Sequence, residues 1–422
     1  MGRRFGTARS IALDISPLTQ SPAYRALWLG QIVSLMGTQM RYVAVAYQVF
    51  IITDSTVAVG LIGLVEVIPL IVFSIIGGAV ADRVERKGLV AKAQIGSILA
   101  AAGLALVSFL GRPSLWWIYG FTAIASAVNG FDRPARTAMI PRLVPKGKLP
   151  AAMALRQVVF QVTQIVGPAV GGFMLASFDF GWVYVIDAVT YVAALIALRW
   201  VPQMQPEGEV SSPLESIREG LRFSFKTPLL LSIFSIDLVA MIFGMPRAVF
   251  PELARDTFHM GAEGLGFLYA ATSAGALVGA LTTGWVGRIH RQGLAVFLSV
   301  LAWGSAITLA GLSLWSFALT LVFLAVAGWA DVLSAVYRGT MLQEATPDEL
   351  RGRVSAINIM VVTGGPRLGD VEAGLVAGAF GAPVSVVVGG VACLVGSAAI
   401  WTGFPSLRRY RRPNVPSAEA PS

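Results

Sequence analysis

Long, unbroken apolar runs dominate the chain, each closed by a short cluster of charged, glycine or proline residues. No run alternates apolar and polar side chains at a period of two, and most far exceed the length of a core strand. The pattern therefore selects helices over a barrel. About 20 apolar residues cross the hydrocarbon of a bilayer. Runs of this kind lie at 24–51, 58–81, 90–110, 115–138, 151–176, 181–200, 229–250, 264–286, 293–313, 317–338, 353–379 and 382–404. Lipid offers the backbone no hydrogen-bond partner, so each run must bond within its own helix. Twelve transmembrane helices are predicted, and the longest polar interruption, Val201 to Thr227, divides them six and six.

Composition agrees with the pattern. Only 13% of residues are charged and 55% are hydrophobic, against about 25% charged in soluble domains. The net charge of +9 raises the question of nucleic acid, which the distribution of charge answers. With a cytoplasmic N-terminus, nearly all of the 32 Lys and Arg fall in the inner loops, tails and inner helix ends. Arg112 and Arg255 fall outside, while Arg41, Arg247 and Arg367 lie within spans. This is the positive-inside bias. It predicts that both termini are cytoplasmic and leaves no basic surplus to imply a nucleic-acid partner. Cys393 is the sole cysteine, so no intramolecular disulfide can form. The basic N-terminal segment runs into a full-length span, and no cleavable signal peptide is expected.

The two halves echo each other 202 to 206 residues apart. Ser21-Pro22 matches Thr227-Pro228, Gln31 matches Asp237, Asn129 matches Asp331, and Arg41 matches Arg247. Gly60-Leu61-Ile62 matches Gly266-Phe267-Leu268, and the basic turn from Arg83 to Leu89 matches Arg288 to Leu294. Arg136-x-x-Met139 and Pro145 match Arg338-x-x-Met341 and Pro347. Four segments follow: a six-helix bundle over 1–200, a linker over 201–228, a second six-helix bundle over 229–404, and a basic, disordered tail over 405–422. Within the linker, Pro213 to Lys226 is expected to form an amphipathic helix on the inner surface. The tail's Arg408, Arg409, Arg411 and Arg412 suit anionic headgroups.

Residues 77–87 read Gly-Gly-Ala-Val-Ala-Asp-Arg-Val-Glu-Arg-Lys. Their Gly-x-x-x-Asp-Arg-x-x-Arg-Lys pattern resembles the loop between helices two and three of the major facilitator superfamily. Gly167-Pro168-Ala169-Val170-Gly171-Gly172 resembles the core of that superfamily's antiporter motif. The upstream glycines of the longer motif are replaced by Ala154 and Thr163. Ala81 to Lys87, Leu221-Arg222-Phe223, Phe267 to Ala271, Thr340 to Gln343, Thr346-Pro347 and Gly352-Arg353 are similar to the enterobactin-exporter branch, which also includes exporters of antibiotics and other drugs. The resemblance implies an all-α membrane protein of the major facilitator fold, with two pseudo-symmetric six-helix bundles rocking about a midplane site. It also implies that Asp82 caps the start of helix eleven and pairs with loop arginines, so that Gly78, Asp82, Arg83 and Arg86 form a gating loop. Gly78 would permit close helix contact there. The second half has Gly287 at the Asp position, so this latch is expected once only.

An ionisable side chain inside a span costs at least about 2.5–3.5 kcal/mol on insertion scales and is a functional candidate. The substrate and proton-coupling candidates are Gln31, Arg41, Glu66, Asp132, Asp237, Arg247, Asp331, Arg367, Asp370 and Glu372. The resemblance places helices one, four, seven and ten, which carry most of them, around the central cavity. Arg367 and Asp370 share a helical face and form either a proton switch or a static bridge between helices eleven and two. Glu372, about 200° away around that helix, addresses another partner. Arg41 and Arg247 can hold an anionic substrate through forked hydrogen bonds or pair with a nearby carboxylate. The Gly167, Pro168, Gly171 and Gly172 motif serves both packing and the bias of the cycle. Trp116, Trp117, Tyr119, Trp182 and Tyr184 read as interface anchors.

Gly147-Lys148 is followed by Leu149 and lacks a phosphate-cradling frame. Neither HExxH nor GxSxG occurs, and His259 and His290 lie in or beside loops. The chain thus reads as a secondary carrier and not an enzyme. The expectation is a monomeric, proton-driven exporter in the bacterial inner membrane, needing no cofactor beyond the proton gradient. Its partners would be protons, the lipid bilayer and a small-molecule cargo. A siderophore is the first choice of cargo and an antibiotic or other drug the second. Cavity arginines favour the former; acids with aromatics such as Phe243 and Trp303 favour the latter.

Overall fold

The computed structural model describes residues 14–111, 113–205 and 213–411, which hold helices and no strand. Arg112, the N-terminal stretch before Asp14, 206–212 and the tail from Arg412 lie outside the described residues. Twelve long helices follow in order: α1 (Pro22–Thr53), α2 (Thr56–Ala81), α3 (Arg86–Phe109), α4 (Leu115–Leu143), α5 (Leu149–Ser177), α6 (Phe180–Ala197), α7 (Pro228–Phe243), α8 (Gly261–Thr282), α9 (Gln292–Leu312), α10 (Phe317–Glu344), α11 (Arg351–Phe380) and α12 (Ala382–Gly403). Among the described residues, nine stretches are long and apolar enough to cross a membrane on composition alone. The three long helices outside that set are α1, α4 and α11, which carry Arg41, Asp132 with Arg136, and Arg367 with Asp370. Charge inside the span, together with polar residues such as Gln39, Gln48 and Asn129, lowers their hydropathy.

Local chemistry explains the boundaries. The Ser21, Ser55 and Ser316 hydroxyls accept from the N–H groups of Tyr24, Ala58 and Leu319 at the starts of α1, α2 and α10, satisfying one orphan donor each. Pro22 and Pro228 open α1 and α7, where a missing N–H costs nothing. Asp54, with φ 50°, turns the chain from α1 into α2, a left-handed conformation that Asp tolerates better than most residues.

Span seven is shorter than its apolar run. The helix stops at Phe243, and the chain continues through a 3-10 turn (Arg247–Val249) and a π turn (Leu253–Thr257). Arg247 therefore stands on an irregular turn rather than on the predicted helix. Pro246 cannot donate to the ladder, and the Gly244 carbonyl is taken instead by Trp303 Nε1 at 2.9 Å. Trp303 is almost wholly buried, a structural latch and not an open cavity aromatic. Trp303→Phe keeps the ring but strands that carbonyl. It should lower stability by about 1–3 kcal/mol, read as an earlier melt in detergent; an unchanged melt would show the bond to be dispensable.

Other expectations shift for equally local reasons. Trp116, Trp117 and Trp182 are exposed, but Tyr119 and Tyr184 are buried. Their hydroxyls donate to the Ala58 carbonyl at 2.5 Å and to Gln48 Oε1 at 2.8 Å. They are core tethers, not interface anchors. The tail begins ordered: Pro405–Arg409 is a short helix with Leu407 buried, and Tyr410 donates to Glu344 at 2.8 Å.

The chain divides into two compact units. In its described residues, one gathers Met1–Ala58, Leu64–Pro213 and His259–Ala270; the other gathers Val59–Gly63, Leu214–Phe258 and Ala271–Ser422. Each unit thus takes in the opening turns of a helix, α8 in the first and α2 in the second. Glycines make this possible. In the first unit a Cβ at Gly172 of α5 would lie 2.5 Å from the Ala262 carbonyl and 2.8 Å from Gly266 Cα of α8. In the second, one at Gly60 of α2 would lie 2.5 Å from the Asp370 carbonyl of α11. Small residues let these backbones meet.

Candidate functional site

Each unit buries an arginine cluster, and each solves the cost of burial differently. In the first unit Arg41 of α1 pairs with Asp187 of α6 at 2.9 Å, with the Asp187 side chain fully buried. Glu66 of α2 and Tyr191 of α6 also bear electrostatically on Arg41. Thr38 and Tyr191 share a 2.9 Å hydroxyl bond one turn away. An unpaired buried charge costs several kcal/mol, so these partners are what hold Arg41 in the span. Of the two roles expected for Arg41, pairing with a carboxylate is the one the structure shows.

Lower on α4, Arg136 grips Asp132 through Nε and Nη2, both at 2.9 Å. This forked geometry is the strongest that an Arg–carboxylate pair can adopt. Gln31 is half-buried on α1.

In the second unit Arg338 of α10 is the centre. Its Nη2 lies 2.9 Å from Asp237 of α7 and 3.8 Å from Asp331 of α10. Arg247 and Asp331 line one small cavity of about 10 Å³ with Thr272, Trp303 and Ile307. Arg367 and Asp370 lie elsewhere, on α11 where it crosses α2: their carbonyls face Gly63 and Gly60. Glu372 is half-buried farther along α11. The structure thus brings Asp237 and Asp331 together around Arg338, with Arg247 beside Asp331, and sets the α11 candidates apart.

Asp187, Arg136 and Arg338 are absent from the sequence candidates. Asp187 could have been found as an acid within an apolar run. Arg136 and Arg338 were visible only as repeat landmarks near helix ends.

Asp82 and Arg83 are exposed. Arg86 is buried and donates to the carbonyl of Ala81 at the end of α2 at 3.4 Å and to that of Ala138 within α4 at 3.3 Å. Glu85 caps the start of α3, accepting from Lys87 N at 3.0 Å and Gly88 N at 2.6 Å, and it also accepts from Met204 N at 3.1 Å. Gly78 does not make the close contact: a Cβ there would meet nothing within 4 Å. Its neighbour Gly77 does, since a Cβ would fall 2.6 Å from the Gly130 carbonyl and 2.8 Å from Phe131 Cα.

The Gly167-Pro168 motif is a packing face. A Cβ at Gly167 would approach Gln39 Cβ to 2.5 Å, and one at Gly171 would approach Met40 Cα to 3.0 Å, both on α1. The second unit repeats the device with Gly365-Pro366 and Gly369. There the neighbours are Met241 Cβ at 2.8 Å and the Met241 carbonyl at 2.6 Å, both on α7. Only the first of these two motifs is read from the sequence; both lie on the fifth long helix of their half.

Twelve spanning helices, two glycine-packed crossings and buried arginine–acid clusters define a transporter of the major facilitator fold. The profile of the family described as "Transmembrane secretion effector" matches residues 12–418. The chain belongs to that family, within the major facilitator superfamily and its enterobactin-exporter branch. It is 31% identical over 417 residues to the enterobactin exporter EntS of Escherichia coli O1:K1, covering 98% of this chain and 99% of that one. The EntS protein of Shigella boydii serotype 18 is 32% identical over the same share of each chain. Among solved structures, a bacterial homologue of the human lysosomal transporter Spinster superposes with a TM-score of 0.72 at 15% identity, covering 93% and 98% of the two chains. These are transporters and not enzymes, and the chain is an integral membrane carrier.

Proposed function

We propose that this carrier exports a siderophore from the bacterial cytoplasm across the inner membrane, driven by the proton gradient without any other cofactor, and works as a monomer. The full-length match to enterobactin exporters carries this reading, because the aligned region covers nearly all of both chains. The positive-inside bias supports cytoplasmic termini, so the loop of Asp82 and Arg83 faces the cytoplasm and contributes to gating.

The chemistry of the buried clusters fits the cargo. A catecholate siderophore carries several hydroxyl donors and a tendency to negative charge. The Arg247 guanidinium suits the charge, and carboxylates at Glu66 and Asp331 suit the hydroxyls, while Arg41, Asp132 and Asp237 are held in ion pairs. Arg367, Asp370 and Glu372 are placed for the conformational cycle rather than for cargo. Proton coupling is supported by the presence of buried acids beside arginines, which lets protonation rearrange a pair.

Cells lacking their own efflux pumps and expressing this chain should release enterobactin, and a protonophore should stop that release. Export of hydrophobic cationic drugs with no siderophore flux would overturn the cargo. Siderophore release indifferent to the protonophore would overturn the coupling.

A further inference from the structure

The second unit holds a cluster whose counterpart in the first is chemically quieter. Arg136 is taken by a single acid through two nitrogens. Arg338, its repeat mate, faces two acids from one nitrogen, Asp237 at 2.9 Å and Asp331 at 3.8 Å. The first half has amides, Gln31 and Asn129, where these acids stand. Asp331 and Arg338 are seven residues apart, close to two helical turns, and so share a face of α10.

This crowding leaves groups under-bonded. Among the described residues, Arg338 Nη1, Ser334 Oγ and the Tyr337 hydroxyl are buried without a hydrogen-bond partner. The three charged side chains also differ in access. Asp237 is 3% exposed and Arg338 5%, whereas Asp331 keeps 23% of its side-chain surface open. Asp331 lines the small cavity, which has room for about one water molecule. The charged groups facing it are Arg338 from its own helix, Asp237 from α7, and Arg247 from the turn beyond α7. From α8 and α9 the cavity receives only Thr272, Trp303 and Ile307, which bring no charge.

We propose that Asp331 is the proton-carrying group of the transport cycle, its carboxyl binding either a proton or a hydroxyl donor of the cargo. Asp237 and Arg338 form the fixed pair that holds it. The inference rests on the exporter reading of the preceding section. Arg338 holds Asp237 at 2.9 Å but stands off from Asp331 at 3.8 Å, so even with Arg247 facing it Asp331 is the less firmly held carboxylate, the one whose charge protonation relieves. The tightly paired Asp237 keeps its charge and the looser Asp331 takes the proton. A carboxylate offers both oxygens as charged acceptors, while a protonated carboxyl gives one of them to its own O–H and keeps only a weaker neutral acceptor. When a catechol hydroxyl arrives, Asp331 loses its proton to the cavity water and accepts the catechol O–H instead. On cargo release a proton from water returns to the carboxylate. Proton and cargo thus compete for one pair of oxygens, and that competition is what an antiporter requires.

The test is infrared difference spectroscopy on the purified, detergent-solubilised full chain. Without cargo, lowering the pH should raise a protonated-carboxyl C=O band. The band should be absent in Asp331→Asn, appear only at lower pH in Asp237→Asn, which frees Arg338 for Asp331, and be restored with a shift in Asp331→Glu. Size-exclusion elution and melting checked against the wild type confirm folding, with Asp331→Ser as a second variant. Persistence of the band in both folded Asp331 variants would overturn the proposal. Enterobactin added to the protonated wild type should erase the band. Bound enterobactin, seen by its fluorescence, that leaves the band unchanged would overturn the competition. Failure of enterobactin to bind at all would overturn the siderophore reading, while loss of the band in Asp331→Asn would still support Asp331 as the proton carrier.

Discussion

Truncating Asp187 to alanine will destabilise the protein by about 3–5 kcal/mol, the usual cost of removing one partner from a buried ion pair. The pair lies wholly inside the first unit, with Arg41 Nη1 2.9 Å from Asp187 Oδ2 and both side chains nearly inaccessible. Burial shuts the pair off from solvent, and the guanidinium keeps its charge at any accessible pH. Its surroundings are also tight: a Cβ added at Gly37, facing the same carboxylate, would come within 2.8 Å of Asp187 Oδ1. The double replacement Arg41→Met with Asp187→Leu removes both charges and should recover most of the loss, because a matched apolar pair often equals a buried salt bridge. Thermal unfolding of the three variants in one detergent measures both effects. If Asp187→Ala melts with the wild type, Arg41 has turned to Glu66, and the pair is not what anchors α1 to α6.

Gly172→Leu will have the second large effect, on both stability and transport. Its Cβ would meet backbone atoms of α8, the Ala262 carbonyl at 2.5 Å and Gly266 Cα at 2.8 Å. Backbone cannot rotate aside as a flexible side chain can, so α5 and α8 must separate. Overpacking of this kind costs about 1–3 kcal/mol, and each 1.4 kcal/mol is about a factor of ten in an equilibrium. A roughly ten-fold or greater fall in export is expected, with Gly172→Ala between wild type and Gly172→Leu. Equal export by all three, at equal expression, would show that the crossing tolerates a gap.

How much of this was legible in the sequence depends on whether the information is local or paired. Helix existence was local, written in apolar runs such as 58–81 and 293–313, and the structure places α2 (Thr56–Ala81) and α9 (Gln292–Leu312) there. Helix ends were less so. Pro246 and Pro251 both lie in or beside span seven, but only the structure shows that the ladder stops at Phe243 and that Trp303 captures the freed carbonyl. Pairing was the least legible. Asp187 meets Arg41 across 146 positions, and nothing in the surrounding Val-Ile-Asp-Ala-Val context names that partner. The internal repeat supplied part of what periodicity could not. It aligned Arg136 with Arg338, and those two arginines organise the acids of their units. It also located Gly60 and Gly266, the glycines at both crossings.

The open space beside Gly78 has a consequence for reading the working cycle. A methyl group there touches nothing in this arrangement of the chain, so alanine or cysteine at that position carries no steric penalty in it. Any penalty such a side chain exacts on export must arise in another arrangement, one that brings a neighbour against this face of α2. Gly78 is thereby a silent position in one state and a sentinel for the rest, and graded side chains placed there would gauge how closely the unseen state packs.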